Sequence, residues 1–405
     1  MEAAQLPEQD RLSGLHPDFL RLINEHIPCL VHRRRMARVC TALRNVFNPQ
    51  HEAATPPLPW ILLPRPGGPS FSCVLRGCDT HDLDLDIPAD ARAARYFGAY
   101  EGGWVFLAAG QIDGYALLNL RTHQRFDIPD SVDIVIGDVG VAIVAATLSS
   151  PPEHEHCVVA AICCLAPPEL VGGPCVRAFW HLGHPVPVND DDANTAAITL
   201  PNLEDVIHYK GAFHFLTDVE DLIVFEPLVH DDGRLEIIPK GTRRFGYPCQ
   251  YDGLAHARYL VESCGELLMV VRLTPYLGEL TLAFRVFQME QAILPAVDGD
   301  NNNAKYSWNW NELQDLGGRM LFIGRGCSRS YKVAKANYPG FKAGVYFLDE
   351  GRFYGEEGIL TGVDAQEYPC RDIGKWLSSE PIPSIDNFLP EQEPSSYSPP
   401  AWFLN

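Results

Sequence analysis

The apolar positions change their period about 50 residues into the chain. Between Leu12 and Phe47, residues Leu15, Phe19, Leu20, Ile23, Ile27, Leu30, Val31, Met36, Val39, Leu43 and Val46 recur largely three or four apart, as the buried stripe of a helix requires. Pro17 and Asp18 predict a helix start at residue 17 or 18, because proline fits the first turn and a carboxylate complements the positive end of the helix dipole. Pro28 ends that helix. A second is expected from about His32 to Phe47, with Arg33, Arg34, Arg35, Arg38 and Arg44 on its wet sides. Helices this short cannot cover their apolar faces with one another, so part of that surface calls for a partner or for the rest of the chain.

A connector rich in proline and glycine follows, from Pro56 to Pro69, with Trp60–Leu63 as a candidate first strand inside it. Beyond it the period shortens. Strand-sized apolar runs recur every 8 to 14 residues, among them Phe71–Leu75, Tyr96–Tyr100, Val141–Thr147, Cys157–Cys163, Ala197–Leu200, Glu266–Leu273, Met320–Ile323, Arg352–Tyr354 and Gly358–Thr361. About twenty such runs without a long interior helix leave stacked sandwiches, a large barrel or a propeller. A recurring two-strand phrase favours the propeller: Asp205 to Leu216 hinges at Lys210-Gly211, and Tyr259 to Val270 hinges at Cys264-Gly265. The expectation is an all-β body, a β-propeller of about five to six blades of antiparallel strands, preceded by a small all-α module. Its segments are residues 1–50 (helical), 51–69 (connector) and 70–405 (propeller).

Charge separates the same two parts. The chain of 405 residues carries a net charge of −20, yet its first 50 residues hold 7 Lys+Arg against 5 Asp+Glu, which leaves 25 against 47 for the remainder. A body at −22 repels phosphate backbones and anionic lipid, so general binding to nucleic acid or to a membrane surface is not expected. The longest nearly apolar run, Val139 to Leu148, is too short to span a bilayer, and the start of the chain has no secretory pattern. Twelve cysteines without CxxC spacing, two of them adjacent at Cys163-Cys164, read as reduced core thiols. An intracellular protein, cytoplasmic or nuclear, is the expectation.

Two stretches resemble known families. Leu15-His16-Pro17-Asp18-Phe19-Leu20, then Ile23, then Arg38-Val39-Cys40-Thr41-Ala42-Leu43-Arg44, is similar to an F-box, usually Leu-Pro-x-Asp-Leu-Leu followed by Arg-x-Val-Cys-x-x-Trp-Arg. It departs at His16, with Pro17 one place late, and at Leu43, where tryptophan is usual. The body resembles the plant KIB-type β-propeller family. The carriers are the Asp205–Leu216 phrase with Leu222–Glu226, Tyr259–Ser263 with Gly265–Arg272, Phe284–Phe287, Trp310–Ser330, Val345–Asp349 and Ser398–Trp402. The resemblance implies a substrate receptor of a Skp–cullin–F-box ubiquitin ligase. The partners would be a Skp-type adaptor with its cullin complex and a target protein, with no catalysis by this chain and no cofactor. Leu15, Pro17, Leu20, Ile23, Val39 and Leu43 would face the adaptor, as an amphipathic helix face enters a groove. A non-catalytic propeller scaffold with a degenerate F-box is the alternative.

Other constellations are weaker. Gly324, Arg325, Gly326, Ser328 and Arg329 have the composition of a backbone nest for an anion, but match neither phosphate-loop nor dinucleotide spacing. A turn and a short helix through Tyr331–Ala336 are the plainer expectation there. His154-Glu155-His156-Cys157 lacks a second cluster to complete a metal site, and Asp79–Asp86 and Asn189–Asp192 lack the spaced ligands of a calcium loop, so no metal is expected. No nucleophile elbow or zinc-protease signature occurs.

Overall fold

The computed structural model describes residues 14–25, 27, 29–47, 57–75, 85–134, 137–165, 175–183, 187–189, 202–246, 249–251, 253–276, 278–291, 308–333, 338, 340–350, 368–377, 384–388 and 392–404. The expected strands at Ala197–Leu200, Arg352–Tyr354 and Gly358–Thr361 lie outside these residues.

Three helices come first: α1 (Pro17–Glu25), α2 (Leu30–Ala37) and α3 (Thr41–Phe47). Pro17 is the first helical residue, as its fixed φ predicts. The single helix expected over residues 32–47 is instead two. The Arg38 and Val39 amides turn back to the Arg35 and Met36 carbonyls and close α2 early. That break lets α3 fold back, so that Leu43 meets Leu20 of α1 in a small core with Ile23, Ile27, Met36, Cys40 and Val46 around it.

The strands then form six sheets. β1 (Trp60–Leu63) and β2 (Ser70–Cys73) open the first sheet, so the strand read inside the connector belongs to the propeller. β3 to β6 (Arg95–Tyr100, Trp104–Ala108, Tyr115–Asn119, Arg125–Asp127) make the second sheet. The third holds β7 to β11 (Ser131–Ile134, Gly137–Leu148, Val158–Leu165, Val176–His181, Pro187–Asn189). β12 to β15 (Leu203–Tyr209, Ala212–Thr217, Leu222–Val229, Leu235–Arg243) form the fourth. The fifth is β16 to β19 (Leu254–Ser263, Glu266–Thr274, Ala283–Gln291, Trp308–Glu312).

The sixth sheet is irregular: β20 (Arg319–Phe322) lies between β21 (Arg329–Lys332) and a parallel β22 (Gly344–Phe347), and β24 (Gly374–Leu377) and β25 (Ser384–Asn387) complete it. The expected helix at Tyr331 is therefore a strand, because residues 329–332 pair with 319–322. β23 (Tyr368–Cys370) and β26 (Gln392–Ser395) form a separate pair. Finally β27 (Ala401–Phe403) pairs with β1, matching Trp60 to Phe403 and Leu62 to Ala401, so the two ends of the body share one blade and close a ring of six.

Strands here are apolar on both faces because each sheet is packed on two sides. Along β1, Trp60 and Leu62 join Tyr96, Val105 and Leu107 of the second blade, while Ile61 and Leu63 join Met320, Phe322 and Tyr346 of the sixth. Every neighbouring pair of blades has its own core of this kind. Two tight turns match their sequence signals: Lys210 and Gly211 have φ of 49° and 81°, and Cys264 and Gly265 have 56° and 82°. Positive φ at both central residues gives the hairpin twist that suits two-residue loops. A Cβ on Gly211 would meet nothing within 4 Å, so Gly211→Ala tests conformation alone. It is expected to lower stability by about 1 kcal/mol, read as a reduced urea midpoint at unchanged m.

Candidate functional site

On the helical module, the residues facing outward are not all those the motif nominates. The His16 carbonyl accepts from the Phe19 and Leu20 amides and starts α1, while Arg21 bridges to Asp18 at 2.9 Å. Of the six residues assigned to the docking face, Leu15, Pro17 and Val39 are exposed and Ile23 is half-buried. Leu20 and Leu43 are buried against each other and form the module's own core. Their side chains are therefore not part of the exposed face. Helical period places Phe19 and Leu22 on the outside instead, at 62% and 49% exposure. With Leu15, Ile23 and Ile27 they line an open apolar groove of about 430 Å³. The opposite side of the module meets the propeller through Val31, which packs on the core between the first and second blades.

The second site is the propeller axis. Strands β27, β3, β8, β12, β16 and β21 touch one another in that order from blade to blade, which makes them the inner members of their sheets. The Gly324–Ser328 segment between β20 and β21 leaves the sixth blade and crosses to the opposite side. A Cβ on Gly326, whose φ is +69°, would stand 2.2 Å from the Ala146 carbonyl oxygen of the third blade. The Gly326 amide donates to Asp205 Oδ1 of the fourth blade at 2.6 Å.

The Gly326 amide of the nominated segment thus meets a carboxylate of the chain's own, Asp205, which also accepts from the Val206 amide at 2.8 Å and the Leu260 amide at 2.7 Å. Burial pushes this carboxyl up to about 7, against the opposing pull of three N–H donors and the Arg325 guanidinium. The cations assigned to an external anion are also engaged. Arg325 lies 3.8 Å from Glu204 and 3.7 Å from Glu350, and Arg329 lies 3.4 Å from Glu101 and over the Tyr100 ring. Ser328 Oγ donates to the Gly324 carbonyl at 3.0 Å, which closes the turn on itself.

Around this axis runs a charged belt that the sequence did not announce. Arg258 reaches Glu204 at 3.3 Å and Glu220 at 3.1 Å, tying the fourth blade to the fifth. Glu220 has a φ of 69° and is buried, held there by the Cys249 amide at 2.9 Å and the Tyr251 hydroxyl at 2.7 Å. Arg272 donates to Asp372 at 2.8 Å and to the Leu348 carbonyl at 2.9 Å, joining the fifth blade to the sixth. Such buried pairs add little net stability, because desolvation offsets their Coulomb attraction. The one signal available beforehand was an acid in the apolar run Asp205-Val-Ile, where strand propensity disfavours it. Two recesses of about 50 Å³ each flank Arg325 and Glu350, room for a few water molecules, against ~300–1,000 Å³ for a small-molecule site.

His154 and His156 stand on an exposed turn, and no group of three metal-ligating side chains occurs among the described residues. Residues 79–84 and 190–192 of the acidic stretches lie outside those residues. Among the described residues, no helix is long and apolar enough to cross a membrane. At one rim, Val219, Leu254, Tyr276, Leu280 and Leu282 are exposed, on or beside the loops that join second to third strands in the fourth and fifth blades.

One buried histidine makes the body acid-sensitive. His214 in β13 is 1% exposed and its Nδ1 donates to the Ala212 carbonyl, which leaves Nε2 buried without an acceptor. Burial and the nearby Arg243 push its pKa down to about 4 from 6.5. A lowered histidine contributes stability that is present above pH 6.5 and is lost as pH falls through 4. His214→Asn is therefore expected to remove about 3 kcal/mol of acid sensitivity between those limits, measured as the difference in urea stability against wild type.

A closed ring of six sheets around an axis plug defines the class: this is a six-bladed β-propeller with a small helical module ahead of it. The KIB1-4 beta-propeller family model matches residues 74–374, and the chain belongs to that family. No curated protein matches it. Among solved structures, the crystal structure of the major Malassezia sympodialis allergen Mala s 1 is similar at 12% identity and a TM-score of 0.26, over 62% of this chain and 82% of that one. A likeness of that size carries no argument.

Proposed function

We propose that the protein is a substrate receptor of a Skp–cullin–F-box ubiquitin ligase, in which the helical module docks the adaptor and the propeller holds the target. The observation that supports this most is the groove of Leu15, Phe19, Leu22, Ile23 and Ile27. Leu15, Phe19 and Leu22 stay exposed on a module that already has a core of its own in Leu20 and Leu43, with Ile23 and Ile27 half-buried between the two. A module serving only as a packed appendage would turn this stripe toward the propeller, whereas here Val31 of α2 makes that contact. The F-box-like residues Leu15 to Leu20 and Arg38 to Arg44 point to a Skp-type adaptor as its occupant. On the propeller, the exposed rim of Val219, Leu254, Tyr276, Leu280 and Leu282 offers the apolar area that a target protein would cover, beside an axis filled by the chain itself. The experiment is co-purification of the full chain with a Skp-type adaptor and cullin, with groove variants alongside. A folded chain that retains neither subunit would leave the scaffold reading.

A further inference from the structure

Two cysteines stand apart from the rest. In the β9–β10 ladder Val176 pairs with Cys163, so the next step of the antiparallel register sets Cys175 directly across from Cys164. Residues opposite one another in such a ladder have Cα atoms about 4.5 or 5.5 Å apart, within the ~4.4–6.8 Å that a disulfide spans. Their sulfurs are 2.9 Å apart, and both residues are only partly buried.

We propose that Cys164 and Cys175 are an oxidation site, a thiol pair that a hydroperoxide converts to a reversible disulfide across the β9–β10 hairpin. The Cys164 sulfur is the nucleophile. The Cys175 thiol donates its hydrogen bond to it, and the Arg325 and Arg95 guanidinium groups add positive potential, which together lower the Cys164 pKa. Burial does the reverse elsewhere, pushing the Cys157 thiol up to about 11 and those of Cys327 and Cys370 up to about 12. Adjacent Cys163 is fully buried and raised well above its ordinary value.

The Cys164 thiolate attacks one peroxide oxygen, breaks the O–O bond and becomes a sulfenic acid, while the other oxygen leaves as hydroxide and takes a proton to form water. Cys175 then attacks the Cys164 sulfur, the S–O bond breaks, and a second water departs with the Cys175 proton. The peroxide is reduced by two electrons and the two thiols are oxidised. A small-molecule dithiol reverses the step by exchange. Intracellular disulfides of mesophiles are mostly of this transient, redox-sensing kind. The proposal is independent of any adaptor or target.

The test treats the full chain with hydrogen peroxide, caps remaining thiols with iodoacetamide and maps the peptides by mass spectrometry. The expected result is a Cys164–Cys175 crosslinked peptide, two hydrogens lighter than the reduced pair, restored to two capped thiols by dithiothreitol. It should form at a peroxide dose that leaves exposed Cys264 still open to capping. In Cys175→Ser, dimedone should trap Cys164 as a sulfenic acid. Capping of both Cys164 and Cys175 in wild type, at a peroxide dose that consumes Cys264, would overturn the proposal. So would a crosslink to any other cysteine in their place. The wild-type map decides the matter even where a serine variant folds poorly.

Discussion

Asp205→Ala is expected to lower the melting temperature of the propeller by roughly 6 °C. The substitution removes the acceptor for the Val206, Leu260 and Gly326 amides at once, and these groups sit where water cannot replace it. An orphaned buried donor costs ~1–3 kcal/mol, and Arg325 loses a nearby countercharge as well, so a total of about 4 kcal/mol follows. With an unfolding entropy of ~2.1 cal/mol/K per residue over roughly 340 residues, that energy reads as the stated shift. Gly326→Ala should damage the same junction by another route, since its new Cβ would press the Ala146 carbonyl from 2.2 Å in a backbone of φ +69°. Asp205→Asn keeps the shape but turns an NH2 toward at least one of the three donors, and is expected to lose about half as much. Calorimetry on the three variants decides it. A melting point within 1 °C of wild type for Asp205→Ala would mean that the axis plug does not hold the blades together.

The second large effect is on association. Phe19→Asp combined with Leu22→Asp is expected to weaken adaptor binding roughly 1,000-fold while leaving the melting curve of the protein unchanged. Both side chains are exposed, so charging them costs the folded chain little, yet each would sit as an apolar anchor in an interface. Anchors of that kind are worth ~2 kcal/mol or more apiece, and about 4 kcal/mol together is close to three decades in Kd. Leu20→Asp supplies the contrast. It buries a charge against Leu43 and should abolish binding by melting the helices, visible as lost far-ultraviolet helical signal. If the Phe19 and Leu22 pair binds the purified adaptor with wild-type affinity in titration calorimetry, the groove is not the docking face.

How much of this was legible beforehand depends on the distance over which each feature is determined. Helix starts and hairpin turns are local: Pro17 opens α1, and the Lys210-Gly211 and Cys264-Gly265 turns form where Gly211 and Gly265 accept positive φ without strain. The break between α2 and α3 was missed because it follows from Leu43 reaching Leu20, a tertiary demand that outranks a continuous apolar period. The same contact keeps Leu20 and Leu43 off the outer face, while Phe19 and Leu22, each next in sequence to a residue assigned to docking, are exposed there. Blade number resisted reading because the sixth sheet contains a parallel pair and the first is shared between residues 60 and 403, neither of which leaves a repeat in the sequence. At the Gly324–Ser328 turn, the partner of the Gly326 amide was not readable, since Asp205 lies 121 positions away from Gly326.

The shared first blade also sets an order of events during synthesis. β1 and β2 leave the ribosome early, but the inner strand of their sheet, β27, comes far later, so the six blades stay an open arc until residue 403 is made. The α1–α3 core is complete once Phe47 has emerged, roughly 350 residues sooner, which at 5–20 residues per second is a lead of roughly 20–70 s. During that interval every residue of the α1–α3 core has been made, while the ring that Val31 packs against is still open.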